Sequence, residues 1–192
     1  MLAGGRGSRL GRDKATLNFH GTPQVRWALA LLARHCEHAY ASVRDAAQAR
    51  EDGFAGLPTL ADAAGIEGPA AGLAAAFGFA PQRAWLLVGV DMPLLEDATL
   101  AQLVASRDPR AVATAYRQPD GTPEPLCAIW EPAVGGRLGS SDAPSLRRVL
   151  EVSVVKWLTP ADPLSLKSVN TAADAAAVKK LLEQRSLSGR RS

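Results

Sequence analysis

Two segments of this 192-residue chain carry residue types that could do chemistry together. The first runs Leu2-Ala3-Gly4-Gly5-Arg6-Gly7-Ser8-Arg9-Leu10-Gly11-Arg12-Asp13-Lys14. Glycines at 4, 5, 7 and 11 let consecutive backbone N–H groups turn toward one point, which is how an anionic phosphate is cradled. Arg9 and Lys14 add fixed positive charge beside it. The spacing matches neither the dinucleotide fingerprint nor the P-loop, because Gly-Lys-Ser/Thr is absent. The second segment is Val90-Asp91-Met92-Pro93, which closes the apolar run Trp85-Leu86-Leu87-Val88-Gly89-Val90. A carboxylate at the carboxyl end of a doubly buried strand points into the ligand crevice of an open sheet. There a hard oxygen donor suits Mg²⁺ shared with substrate phosphates. The plainer alternatives are a flexible arm for the glycines and a helix N-cap for Asp91.

Two further polar residues have plain structural readings. Asp62 lies in a Gly/Ala-rich loop, where an Asp is often only a turn former. Asn170, with Thr171, reads as the cap of the last helix. The three histidines, His20, His35 and His38, have no spacing that makes a metal set or a relay and read as surface or helix-flanking residues. Trp27, Trp85, Trp130 and Trp157 fall within apolar elements and read as core.

The elements that must position these residues alternate between two periodicities. Thr22-Pro23 offers an N-cap and a first helical proline ahead of a helix through residues 25–33. Residues 39–43 read as a short buried strand, 45–52 as a helix, 57–60 as a strand and 70–80 as an alanine-rich helix. The strand at 85–90 is followed by a helix at 96–106. Residues 111–116, the Asp120-Gly121 turn and 125–130 then read as a two-stranded excursion in the C-terminal half. A helix at 144–150, a strand at 152–158 and a helix at 172–184 complete the chain. The rhythm predicts an α/β protein with a three-layer, open, mostly parallel sheet covered by helices on both faces. One domain over 1–185 and a frayed tail over 186–192 are expected. Only Met1 and Leu2 precede the loop, so a first strand of about five residues must be shortened or lack upstream residues.

Composition bounds the function. The net charge of +3 is small, and much of the basic excess lies in Arg6, Arg9, Arg12 and Lys14 and in the tail. That local cluster favours a small anionic substrate over a nucleic-acid surface. No apolar run reaches the roughly 18–20 residues of a membrane span, and no secretory signal is expected. Cys36 and Cys127 have no ligand spacing, which suits a reducing, cytoplasmic setting.

The first segment resembles the signature Leu-Ala-Gly-Gly-x-x-x-Arg-Met-Gly-x-Asp-Lys of nucleotidyltransferases, most closely of molybdenum cofactor guanylyltransferases, with Leu10 at the Met position. Four more segments are similar in family order. Asp62 with Gly68-Pro69-Ala70-Ala71-Gly72 looks like Asp followed by Gly-Pro-Leu-Ala-Gly, and Val90-Asp91-Met92-Pro93 like Cys-Asp-x-Pro. Glu124-Pro125-Leu126-Cys127-Ala128-Ile129-Trp130 is similar to Pro-Leu-x-Ala-Leu, and Val169-Asn170-Thr171 to the end of Asn-x-Asn-Thr-Pro. Departures are Ser168 and Ala172 for the family's first Asn and its Pro, and Ser42-Val43-Arg44 where the family tends to carry Asn.

The resemblance implies a Rossmann-like nucleotidyltransferase fold and transfer of GMP from GTP to the terminal phosphate of molybdopterin or molybdenum cofactor, with pyrophosphate released. It implies Arg9, Lys14 and Asp91 as catalytic residues, and Leu2, Ala3, Gly4, Gly5, Gly7, Lys14 and Asp62 as nucleotide-binding. Asp91 and Asn170 would hold Mg²⁺. Molybdoenzymes or other cofactor-biosynthesis proteins are the partners it suggests. CTP-using relatives tend to carry Leu-Ala-Ala-Gly, so Gly4 favours GTP. A cytidylyltransferase, a catalytically idle nucleotide-binding domain and a sugar-phosphate transferase are the alternatives.

Overall fold

The computed structural model describes residues 1–4, 13–138 and 144–188. β1 (Ala41–Val43) and β2 (Thr59–Ala61) pair in parallel. β3 (Trp85–Val88), β4 (Ala113–Arg117), β5 (Pro123–Trp130) and β6 (Val155–Leu158) form a four-stranded sheet in the order β3-β5-β4-β6. Leu2 joins the two. It bridges Ser42 on one side and Gly89 on the other, both in parallel. Its N–H donates to Val88 O at 2.8 Å, while Ser42 N–H donates to Met1 O at 2.7 Å. A three-residue stub thus occupies the first-strand position and makes one continuous surface from β2 to β6.

Helices cover both faces because neighbouring strand residues point to opposite sides. Val88, Ile129 and Tyr116 pack with Val25 and Leu29 of α1 (Gln24–Leu32) and Leu100 and Leu103 of α3 (Asp97–Ala105). Leu87, Ala128 and Trp130 pack with Leu73 and Phe77 of α2 (Pro69–Phe79) and Val149 and Leu150 of α4 (Leu146–Glu151). Leu73, fully buried, anchors α2, and truncating it to Ala would cost about 2–5 kcal/mol. α5 (Ala172–Ser188) lays Val178 against Leu94 and Val169. The architecture is the three-layer α/β sandwich that the sequence predicts.

Several local expectations shift. The two-stranded excursion is built into the main sheet, with β5 antiparallel to both β3 and β4 and lying between them. The helix expected at 45–52 is only a 3-10 turn, Gln48–Arg50. Its alanines favour helix, but Gln48 is drawn away into buried hydrogen bonds. At α1 Pro23 takes the N-cap position, and no side chain caps the helix, so Thr22 does not act as the cap. α5 continues through residues 186–188, where a frayed tail was expected. Of the four tryptophans only Trp130 is fully buried. Trp27 stacks on His20, and Trp157 lies beneath the Arg117 guanidinium. No helix among the described residues is long and apolar enough to cross a membrane.

Candidate functional site

The stub, β1, β2 and β3 run in parallel, so their carboxyl ends open on one side of the sheet. There a cleft of about 770 Å³ is bordered by Leu2, Ala3, Gly4, Lys14, Asp62 and Asp91 from the sequence-derived set. Gly5, Gly7 and Arg9 lie outside the described residues. A second cavity of about 400 Å³ lies at the amino ends of β1 and β3, under Tyr40 and Trp85. Of the same set only Leu2 borders it.

Lys14, Asp91 and Asn170, far apart in sequence, meet. Lys14 Nζ donates to Asp91 Oδ2 at 3.2 Å and to Asn170 Oδ1 at 2.6 Å. Each is placed by its own local device. Asp13 begins the turn Lys14–Thr16 by accepting from Ala15 N–H at 2.9 Å, which presents Lys14 to the cleft. Asp91 leaves the end of β3, where Val90 N–H donates to Leu2 O at 3.1 Å and buried Met92 and Leu95 anchor the turn that follows. His20 Nε2 donates to Pro93 O at 2.8 Å while its ring stacks on Trp27 at 4.0 Å. A carbonyl can only accept, so this nitrogen carries the proton. Burial holds the His20 pKa below the usual range. Asn170 is tied to Asp91 through Val169 N–H, which donates to Asp91 O at 2.8 Å.

Asn170 is not the helix cap. Thr171 Oγ1 accepts from Asp174 N–H at 3.1 Å, and Asp174 Oδ2 accepts from Thr171 and Asn170 N–H at 2.8 and 3.0 Å. This reciprocal capping box takes over the cap and leaves the Asn170 amide for Lys14.

Asp91 Oδ1 is buried and has no hydrogen-bond partner among the described residues. An orphaned carboxylate oxygen is costly unless something positive reaches it. With Asn170 Oδ1 nearby through Lys14, the donor set is one carboxylate and one amide oxygen. That fits a hard divalent cation that takes its remaining ligands from water or phosphate. Among the described residues no cluster of three or more His, Cys, Asp or Glu could cage a metal without substrate.

Asp62 forms the opposite wall. Its N–H donates to Val43 O at 2.8 Å, and its Oδ1 accepts from Ser42 Oγ. Burial raises the Asp62 pKa, with the Ser42 hydrogen bond and the Arg44 charge opposing. Two glycines make room for this pair. A Cβ on Gly4 would come within 2.5 Å of Asp62 Oδ2, and one on Gly72 would strike Leu2 and Ser42. Gly68 turns the chain into α2 at φ +66°, with Pro69 at the first helical position. Glu124 on β5 also belongs to this neighbourhood. Its carboxyl accepts from Leu126 N–H at 3.0 Å, and burial, reinforced by the charge of Asp91, raises its pKa.

Sequence reasoning did not single out Glu124, Asp174, His20 or the Asp13 cap for the site. The capping-box spacing Thr171-x-x-Asp174 was the available signal for Asp174. Nothing local ties Glu124 to the charge of Asp91, or His20 to its acceptor Pro93 O, 73 positions away.

Gly4, Lys14 and Asp91 at the carboxyl ends of parallel strands form the arrangement of a nucleotide-binding α/β protein. The chain belongs to the MobA-like NTP transferase domain family, which matches residues 1–164. It is 30% identical to the molybdenum cofactor guanylyltransferase of Rhodobacter capsulatus, over 96% of this chain and 95% of that one. It is 34% identical to the molybdenum cofactor biosynthesis bifunctional protein of a Synechocystis strain, over 69% of this chain but only 38% of that protein's length. The crystal structure of molybdopterin-guanine dinucleotide biosynthesis protein A from Archaeoglobus fulgidus superposes with a TM-score of 0.79 at 20% identity, covering 95% of this chain and 97% of that one. That likeness concerns the fold.

Proposed function

We propose that this protein transfers GMP from GTP to the terminal phosphate of molybdopterin or molybdenum cofactor, releasing pyrophosphate. The observation that carries the reading is the meeting of Lys14, Asp91 and Asn170 at the edge of the cleft that Gly4 lines. Relatives named as molybdenum cofactor guanylyltransferases support the acceptor.

The reaction is an in-line displacement. An acceptor phosphate oxygen, already anionic at neutral pH, forms a bond to the α-phosphorus while the bond from that phosphorus to the α–β bridging oxygen breaks, and this oxygen leaves with the electron pair as part of pyrophosphate. No side-chain nucleophile or general base is required, so the protein's work is positioning and charge neutralisation. Lys14 offsets negative charge on the triphosphate. Asp91 and Asn170 would hold Mg²⁺, whose chemistry when bound is to draw charge from the donor phosphates. Ala3 and Gly4 offer backbone at close approach. Asp62 can accept from guanine N1–H and N2–H together, whereas cytosine offers a carboxylate only its N4 amino donor. Magnesium and GTP are thus readings of donor chemistry.

Thermal protection tests the nucleotide. With Mg²⁺ present, GTP at about 100 times its Kd should add about 2.7 kcal/mol. Protection by CTP and not by GTP would overturn the base assignment.

A further inference from the structure

Gln48 has no role in the reaction described above, yet its side chain is fully buried and completely engaged. Its Nε2 donates to Ala3 O at 3.0 Å and to Asp13 Oδ2 at 3.1 Å. Its Oε1 accepts from Arg44 N–H at 2.8 Å, and its own N–H donates to Asp45 Oδ1 at 2.9 Å. Ala3 and Asp13 bracket the glycine-rich segment. Ala3 extends the stub, with its N–H on Ser42 O at 3.0 Å, and Asp13 starts the turn that presents Lys14. Arg44 lies on the Asp62 wall of the cleft.

We propose that Gln48 is a positioning residue for nucleotide binding, clamping Ala3 and Asp13 to each other and to the Arg44 wall and so fixing Gly4 and the turn that presents Lys14. The proposal rests on the nucleotidyltransferase reading, since nucleotide affinity is what the clamp would govern. The chemistry explains the residue type. Two carbonyl-type oxygens and one N–H converge on it, so the site demands two donors and one acceptor at the tip of a side chain. A primary amide supplies both, whereas a carboxylate lacks the donors and an aliphatic chain lacks everything. Leaving the buried Ala3 carbonyl and Arg44 N–H unpaired would release Ala3 from the turn that presents Lys14 as well as cost stability.

The test uses the full chain and GTP with Mg²⁺, with affinity measured by calorimetry and Tm measured without nucleotide. Gln48→Leu should weaken GTP binding about tenfold at every pH. Gln48→Glu should weaken it similarly near pH 8 but recover to within about threefold of wild type near pH 5.5, because the protonated carboxyl regains one donor. The charged groups facing that introduced carboxyl are the Asp13 and Asp45 carboxylates and, beyond them, the Arg44 guanidinium. The double variant Gln48→Glu with Asp13→Asn should also recover at pH 8, since the new amide can donate across the same gap while its oxygen still caps Ala15. A purely structural role predicts a lower Tm for each variant with the GTP affinity of the folded chain unchanged, and that result would overturn the proposal. So would variants that bind GTP as tightly as wild type. Failure of the wild type itself to bind GTP would instead overturn the functional reading, and the proposal with it.

Discussion

Lys14 and Asn170, 156 positions apart, are joined by a 2.6 Å hydrogen bond from Nζ to Oδ1. The same Nζ reaches Asp91 Oδ2, so the first turn after the glycine segment, the end of β3 and the approach to α5 are locked at one point. The Lys14–Asp91 pair is partly exposed and therefore contributes little to stability. Its value lies in holding charge where a triphosphate would arrive.

Asp91→Asn keeps the size of the side chain and removes its charge. The orphaned Oδ1 then ceases to be an anionic oxygen, and turnover should fall by about 10²-fold or more. Tm should change little. Steady-state kinetics alongside a thermal melt checks this, and retained turnover would contradict the assignment.

Lys14→Met retains the aliphatic stem and deletes the ammonium. It should weaken GTP binding about tenfold and lower kcat further, since the charge it offsets grows on the leaving pyrophosphate. A rise in KM with kcat unchanged would limit Lys14 to ground-state binding.

Asp62→Asn separates stability from binding. Burial raises the Asp62 pKa, so the folded chain holds this proton more tightly than the unfolded chain does. The corresponding stability is fully present below the unfolded pKa of about 3.9 and is lost as pH rises through the higher folded value. The asparagine variant should therefore show a flatter dependence of Tm on pH above about pH 4, with Tm at neutral pH equal or higher, while GTP affinity falls about tenfold. Melts across pH and a GTP titration measure both, and loss of Tm together with unchanged affinity would contradict the prediction.

Gly89→Ala would place a methyl 2.7 Å from Asp91 Oδ1 and 3.5 Å from Leu126 Cβ. The carboxylate must yield, so turnover should drop about tenfold or more, with a stability loss of about 1–3 kcal/mol. Gly78→Ala in α2 is the control. Nothing lies within 4 Å of its Cβ, and it should stabilise the helix by about 0.5–1 kcal/mol with turnover unchanged.

Much of this was legible in the residue order. The apolar run before Asp91 marked a buried strand ending at the site, and Gly68-Pro69 marked the start of α2, because both signals are local. The place of β5 between β3 and β4 was not legible. A hairpin signal fixes which strands turn back on each other but not which neighbour the second strand finds. The 45–52 helix failed for a related reason: Gln48 satisfies Ala3 and Asp13, partners 45 and 35 positions away, and no periodicity encodes that. In the site, the glycine-rich run and the end of the apolar strand mark Lys14 and Asp91, Asn170 follows from a motif position, and Ser42 facing Asp62 stands out only as a departure from the family pattern. The dual role left open for Asn170 is resolved by Thr171 and Asp174, which cap the helix between them.

The most direct measurement is product formation. Purified protein would be incubated with Mg²⁺, molybdopterin or molybdenum cofactor, and either GTP or CTP, with pyrophosphate release followed and the cofactor product identified by mass. The account predicts pyrophosphate release that depends on the acceptor and on GTP, in step with a guanine dinucleotide product. A cytosine dinucleotide product, or bound GTP with no pyrophosphate released, would contradict it.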